Sequence, residues 1–128
     1  MRASRERKVV LCIDDNRRGL AIRKVFQEAS GYEALAAECA ADALELLRKQ
    51  KVDAVLLDFR MPDMCGTDLA ARIRHAFPHL PIVMLSGYLH EIPSDSSRVV
   101  DRLLHKGDPA AKLLETLREL TGETASSG

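Results

Sequence analysis

Five apolar residues in unbroken succession, Val9-Val10-Leu11-Cys12-Ile13, run directly into Asp14-Asp15-Asn16. A strand with one wet face alternates apolar and polar residues, so a continuous β-branched run denotes burial on both faces, as in a parallel sheet. The pattern recurs in Ala54-Val55-Leu56-Leu57 before Asp58 and in Ile82-Val83-Met84-Leu85 before Ser86. A weaker version, Val99-Val100 then Leu103-Leu104, precedes Lys106, and Glu33 to Ala37 offers a weak edge strand.

Helical spacing fills the intervals. Leu20, Ile22, Val25, Phe26 and Ala29 mark a helix stopped by Gly31; Ala43, Leu44 and Leu47 mark the next; Leu69, Ile73, Ala76 and Phe77 mark a third that ends before Pro78. Leu113, Leu114, Leu117 and Leu120 form the clearest stripe, on a helix that Asp108 would cap with Pro109 at its first position. Between Tyr88 and Arg98, Pro93 and Ser94-Asp95-Ser96-Ser97 disfavour a helix interior, so the fourth helix is expected to be short or irregular. Strands alternating with helices give an α/β fold whose parallel sheet is covered on both faces. At 128 residues one domain is expected: a lead over 1–7, the folded body over 8–120, and a small, polar tail or linker start over 121–128.

Charge narrows the partners. Lysine and arginine number 19, as do aspartate and glutamate, so there is no overall field to draw the chain onto nucleic acid or anionic lipid. The three cysteines, Cys12, Cys39 and Cys65, lack CxxC spacing and suit reduced thiols rather than a disulfide scaffold or zinc site. His75 and His79 have a four-residue spacing, but Pro78 breaks their helix, which makes them surface residues rather than a metal pair. Arg17-Arg18 and Arg23-Lys24 read as a solvated helix face. No apolar run approaches the length of a membrane span and no signal-peptide pattern follows the basic start, so a cytoplasmic location is expected.

In an open parallel sheet, ligands bind outside the carboxyl ends of the strands. Those ends carry Asp14-Asp15-Asn16, Asp58, Ser86-Gly87 and Lys106. Singly, each aspartate is as readily a helix cap or turn former as a ligand, and Lys106 alone would be a solvated charge. Together they put three carboxylates, a hydroxyl and an ammonium on one rim. Clustered carboxylates call for a hard divalent cation, and Mg2+ suits oxygen ligands and a phosphoryl group. Lys106 and the Ser86 hydroxyl can take the other oxygens of that group, leaving Asp58 to attack.

Asp14-Asp15, Asp58 followed by Met61-Pro62 and Gly66, Ser86-Gly87 and Lys106 resemble the response-regulator receiver family of two-component signalling, over roughly Lys8 to Leu120. The resemblance implies a flavodoxin-like, doubly wound five-stranded parallel sheet in the order 2-1-3-4-5. It implies Asp58 as phosphoacceptor, with Mg2+ held by Asp14, Asp15, Asp58 and the Arg60 backbone carbonyl, and the phosphoryl group contacted by Ser86, Gly87 and Lys106. The donor would be a sensor histidine kinase or phosphotransfer protein, and the output an unspecified downstream protein. Such a domain accepts a phosphoryl group, with at most slow autodephosphorylation, and does not turn over an external substrate.

The sequence departs from the family pattern at Gly107 and Leu103. Gly107 stands where a cis proline usually follows the lysine, which leaves the backbone around Lys106 less restricted. Leu103 occupies the place of an aromatic that, with Ser86, forms the usual switch pair, so the output face is expected to be unusual. Arg60 and Tyr88 occupy positions that govern access of hydrolytic water, and both are bulky. Two other function classes compete: a phosphorylation-independent interaction module with the same fold, and a haloacid-dehalogenase-type hydrolase. Asp14-Asp15-Asn16 lacks the second acid that the hydrolase would place two residues after the first.

Overall fold

The computed structural model describes residues 7–14, 24, 28, 31–61, 63–88, 90 and 92–122. Its elements are β1 (Lys8–Ile13), β2 (Tyr32–Ala37), α1 (Ala40–Lys49), β3 (Ala54–Asp58), α2 (Gly66–Ala76), β4 (Ile82–Ser86), a 3-10 segment (Ser94–Arg98), β5 (Arg102–His105) and α3 (Ala110–Thr121). The strands form one parallel sheet in the order β2-β1-β3-β4-β5. This is the expected doubly wound α/β sheet. The helix expected before Gly31 lies almost wholly outside the described residues. Lys24 and Glu28 within it are helical, and Gly31 follows at φ +95°, a conformation that stops a helix and that side-chain-bearing residues rarely adopt.

Alternation along each strand explains why the runs are apolar throughout. Leu11, Ile13, Val55, Leu57, Ile82 and Met84 point to one face, where Ala43 and Leu47 of α1 and Leu69 and Ile73 of α2 cover them. Val10, Cys12, Ala54, Leu56, Val83 and Leu85 point to the other, where Leu117 of α3 is fully buried and Leu113 and Leu114 pack alongside. In β1, β3 and β4, whose two faces are both covered, polar residues reach water at the strand ends.

Two expectations need correction. Val99-Val100 is not strand: Val99 and Val100 amides close the 3-10 segment onto the Ser96 carbonyl at 2.9 and 3.1 Å, and both side chains join the α1–α2 face. β5 starts at Arg102. Nor does Asp108 cap α3. The helix begins at Ala110 with Pro109 as its N-cap, while the Asp108 carboxylate turns back to accept from the His105 amide at 3.0 Å. An aspartate satisfies an open amide equally well in a tight turn, and here the nearer amide wins.

The irregular fourth segment includes the 3-10 turn Ser94–Arg98, which is tied to α2. Thr67 Oγ1 and Ser96 Oγ share a hydrogen bond of 2.9 Å. Farther along α2, the Arg74 guanidinium donates to the Leu80 carbonyl (2.8 Å), the Val99 carbonyl (3.3 Å) and the Asp101 carboxylate (2.7 Å).

Candidate functional site

The parallel register brings the strand ends together. Ile13 pairs with Leu57, Asp58 with Leu85, and Ser86 with His105, so Asp14, Asp58, Ser86 and Lys106 emerge side by side from four adjacent strands. The loops lock the same rim: the Phe59 amide donates to the Leu85 carbonyl and the Lys106 amide to the Ser86 carbonyl, each at 2.9 Å.

Asp58 forms the floor. It is 3% exposed, and its Oδ2 accepts from Lys106 Nζ at 3.0 Å while Oδ1 accepts from the Arg60 amide at 3.2 Å. Burial pushes the Asp58 carboxyl above its ordinary value, and the nearby Asp14 charge pushes the same way. The hydrogen bond and charge of Lys106 and the Arg60 amide oppose that rise. Asp58, Arg60, Ser86, Gly87, Tyr88 and Lys106 line a pocket of about 170 Å3. The buried Ser86 hydroxyl is folded onto its own loop, accepting from the Tyr88 amide at 3.0 Å and donating to the Tyr88 carbonyl at 3.1 Å. Tyr88 is largely exposed at the mouth, its ring edge-on to His90 with centroids 6.0 Å apart.

Two of the expected carboxylates, Asp14 and Asp58, are thus buried near one another, and Asp15 lies outside the described residues. Among the described residues no three His, Cys, Asp or Glu side chains gather around a metal position. The donor chemistry nevertheless fits Mg2+: two buried, mutually repelling carboxylates provide hard oxygen donors. Leu103 does not line this pocket; it is 40% exposed and borders a separate hollow with Pro93, Ser96 and Val100. A larger, mainly apolar hollow of about 550 Å3 lies at the amino ends of β3 and β4, near Leu47, Val52, Phe77 and Leu80 and away from these groups.

Three supporting residues acquire a physical role only in the structure. Gly66 packs so closely on the loop after Asp58 that an added Cβ would sit 2.7 Å from Phe59 Cα and 2.8 Å from the Asp58 carbonyl oxygen. Asp63, on the same loop, accepts from the Ala40 amide with both oxygens at 3.1 Å, supplying the side-chain cap that Cys39 does not give α1. That contact spans 23 residues and no local signal announces it. His105 accepts from the Gly107 amide, which the glycine itself could have hinted at, since a proline there has no amide to give.

Known proteins resemble this chain in sequence and in fold. The chain is 33% identical over 120 residues to the autoinducer 1 sensor kinase/phosphatase LuxN of Vibrio campbellii, which covers 92% of this chain but only 14% of LuxN. It is 22% identical over 122 residues to the polar-differentiation response regulator DivK of Brucella ovis, covering 91% of this chain and 98% of DivK. The response regulator TrrA of Thermotoga maritima, solved in complex with Mg(2+)-BeF, superposes with a TM-score of 0.83 at 29% identity, over 88% of this chain and 98% of TrrA. The family model described as the response regulator receiver domain matches residues 10–107, from the first buried strand to the turn beyond Lys106. A match over that much of the chain places it in the family of response regulator receiver domains.

Proposed function

We propose that this receiver domain accepts a phosphoryl group on Asp58 and acts as a phosphorylation-controlled switch in a two-component pathway. The observation that carries the reading is the buried Asp58 carboxylate held 3.0 Å from Lys106 Nζ at the floor of a pocket open to solvent. An Asp58 oxygen attacks phosphorus as the bond from phosphorus to the donor's imidazole nitrogen breaks, and the imidazole leaves with its electron pair. Lys106 gives up its bond to Asp58 and follows the transferred oxygens, and Ser86 exchanges the Tyr88 carbonyl for a phosphoryl oxygen. Asp14, Asp15, Asp58 and the Arg60 carbonyl would hold Mg2+, which neutralises charge on the incoming group when bound. The donor is a sensor histidine kinase or a phosphotransfer protein; the similarity to a segment of a sensor kinase/phosphatase and to a response regulator supports that class of partner.

Incubation with acetyl phosphate and Mg2+ should add one phosphoryl group by intact mass, with nothing added without Mg2+ or in Asp58→Asn. An unmodified wild-type chain would overturn this reading in favour of a phosphorylation-independent interaction module.

A further inference from the structure

The turn that delivers Lys106 has every backbone amide satisfied. From His105 to Asp108, the His105 amide donates to Asp108 Oδ2 (3.0 Å), Lys106 to the Ser86 carbonyl (2.9 Å), Gly107 to His105 Nδ1 (2.8 Å) and Asp108 to the His105 carbonyl (3.0 Å). A turn with four amides engaged is held in one conformation, and two of the four acceptors are side chains. The imidazole also presses on the chain it holds: a Cβ at Gly107 would lie 3.0 Å from His105 Nδ1 and 3.2 Å from Cε1. Gly107 therefore supplies both the amide and the space. The looseness expected of a glycine after Lys106 is offset by this lacing.

We propose that His105 is a positioning residue: its imidazole, by accepting the Gly107 amide, fixes the turn that sets Lys106 over Asp58. The inference rests on the phosphoacceptor reading of Asp58 and concerns how its partner lysine is placed. Nδ1 takes the acceptor role in this contact, offering its lone pair to the Gly107 amide. Asp108, whose carboxylate accepts the His105 amide, is also 3.5 Å from Lys112 Nζ of α3.

The test compares His105→Leu, which keeps bulk but removes the acceptor, with His105→Asn, whose amide oxygen stands near the place of Nδ1. The readouts are the rate of Asp58 phosphorylation by acetyl phosphate at saturating Mg2+, the Mg2+ affinity, and hydrogen exchange of the Gly107 amide. His105→Leu should slow phosphorylation about fivefold, the size of one lost hydrogen bond, and speed Gly107 exchange. Mg2+ affinity should stay as in the wild type, and His105→Asn should recover both rate and protection. Wild-type phosphorylation in the leucine variant, no recovery in the asparagine variant, or a parallel loss of Mg2+ affinity would each overturn the proposal. Failure of the underlying reading looks different: the wild type itself would remain unmodified, like Asp58→Asn.

Discussion

Arg60 and Tyr88 line the same pocket as Asp58, and we propose that their bulk restricts the approach of water to an acyl phosphate there. Replacing either with alanine should release phosphate several-fold faster, measured as decay of the phosphorylated mass after the donor is removed; unchanged decay in both variants would leave water access to be set elsewhere. Residue-scale chemistry was legible where the inner strands ended, because burial on both faces of β1, β3 and β4 leaves their ends as the outlet for polar groups. Asp58, Ser86 and Lys106 were found that way and share one pocket. Leu103 was singled out only by family likeness and lies apart from the pocket, while Asp15 falls outside the described residues. His105 and Asp63 escaped notice because a polar side chain's acceptor role depends on which amide comes near, and folding settles that.

At the scale of elements, the loop from β3 to α2 makes, among others, two contacts of different kinds at Asp63 and Gly66. Asp63→Ala removes the cap from α1 and should cost about 1 kcal/mol. Gly66→Ala forces a methyl against backbone that cannot step aside and should cost about 1–3 kcal/mol. Both should appear as lowered urea midpoints with unchanged slope, and Gly66→Ala, lying against Asp58 itself, should also slow phosphorylation. Helices and strands with long stripes were readable from spacing, as in α3 and β3. The stretch around Val99-Val100 misled because two adjacent apolar residues suit a strand and a buried turn equally, and only the packing under α2 decides between them. Asp108 misled for a similar reason, since capping and turn closure reward the same carboxylate.

For the molecule as a whole, the elevated Asp58 value links stability to pH. Without a divalent ion, the folded chain holds this proton at pH values where the unfolded chain has lost it, so the Asp58 contribution to stability falls as pH rises through that window. In EDTA, denaturation midpoints of the wild type should drop relative to Asp58→Asn across it, and Mg2+ should restore them; an Asp58→Asn chain less stable than wild type in EDTA at neutral pH would contradict this. The sheet order has a further consequence. Asp58 sits on the central strand, and the residues around it arrive from strands far apart in sequence, each joined by a crossover rather than a hairpin. A chain stalled in synthesis, or with β5 undocked, carries Asp58 without Lys106 beside it. On the phosphoacceptor reading proposed for Asp58, competence to receive a phosphoryl group doubles as a certificate of completed folding, and unfinished or damaged copies would be ignored without a separate inspection step.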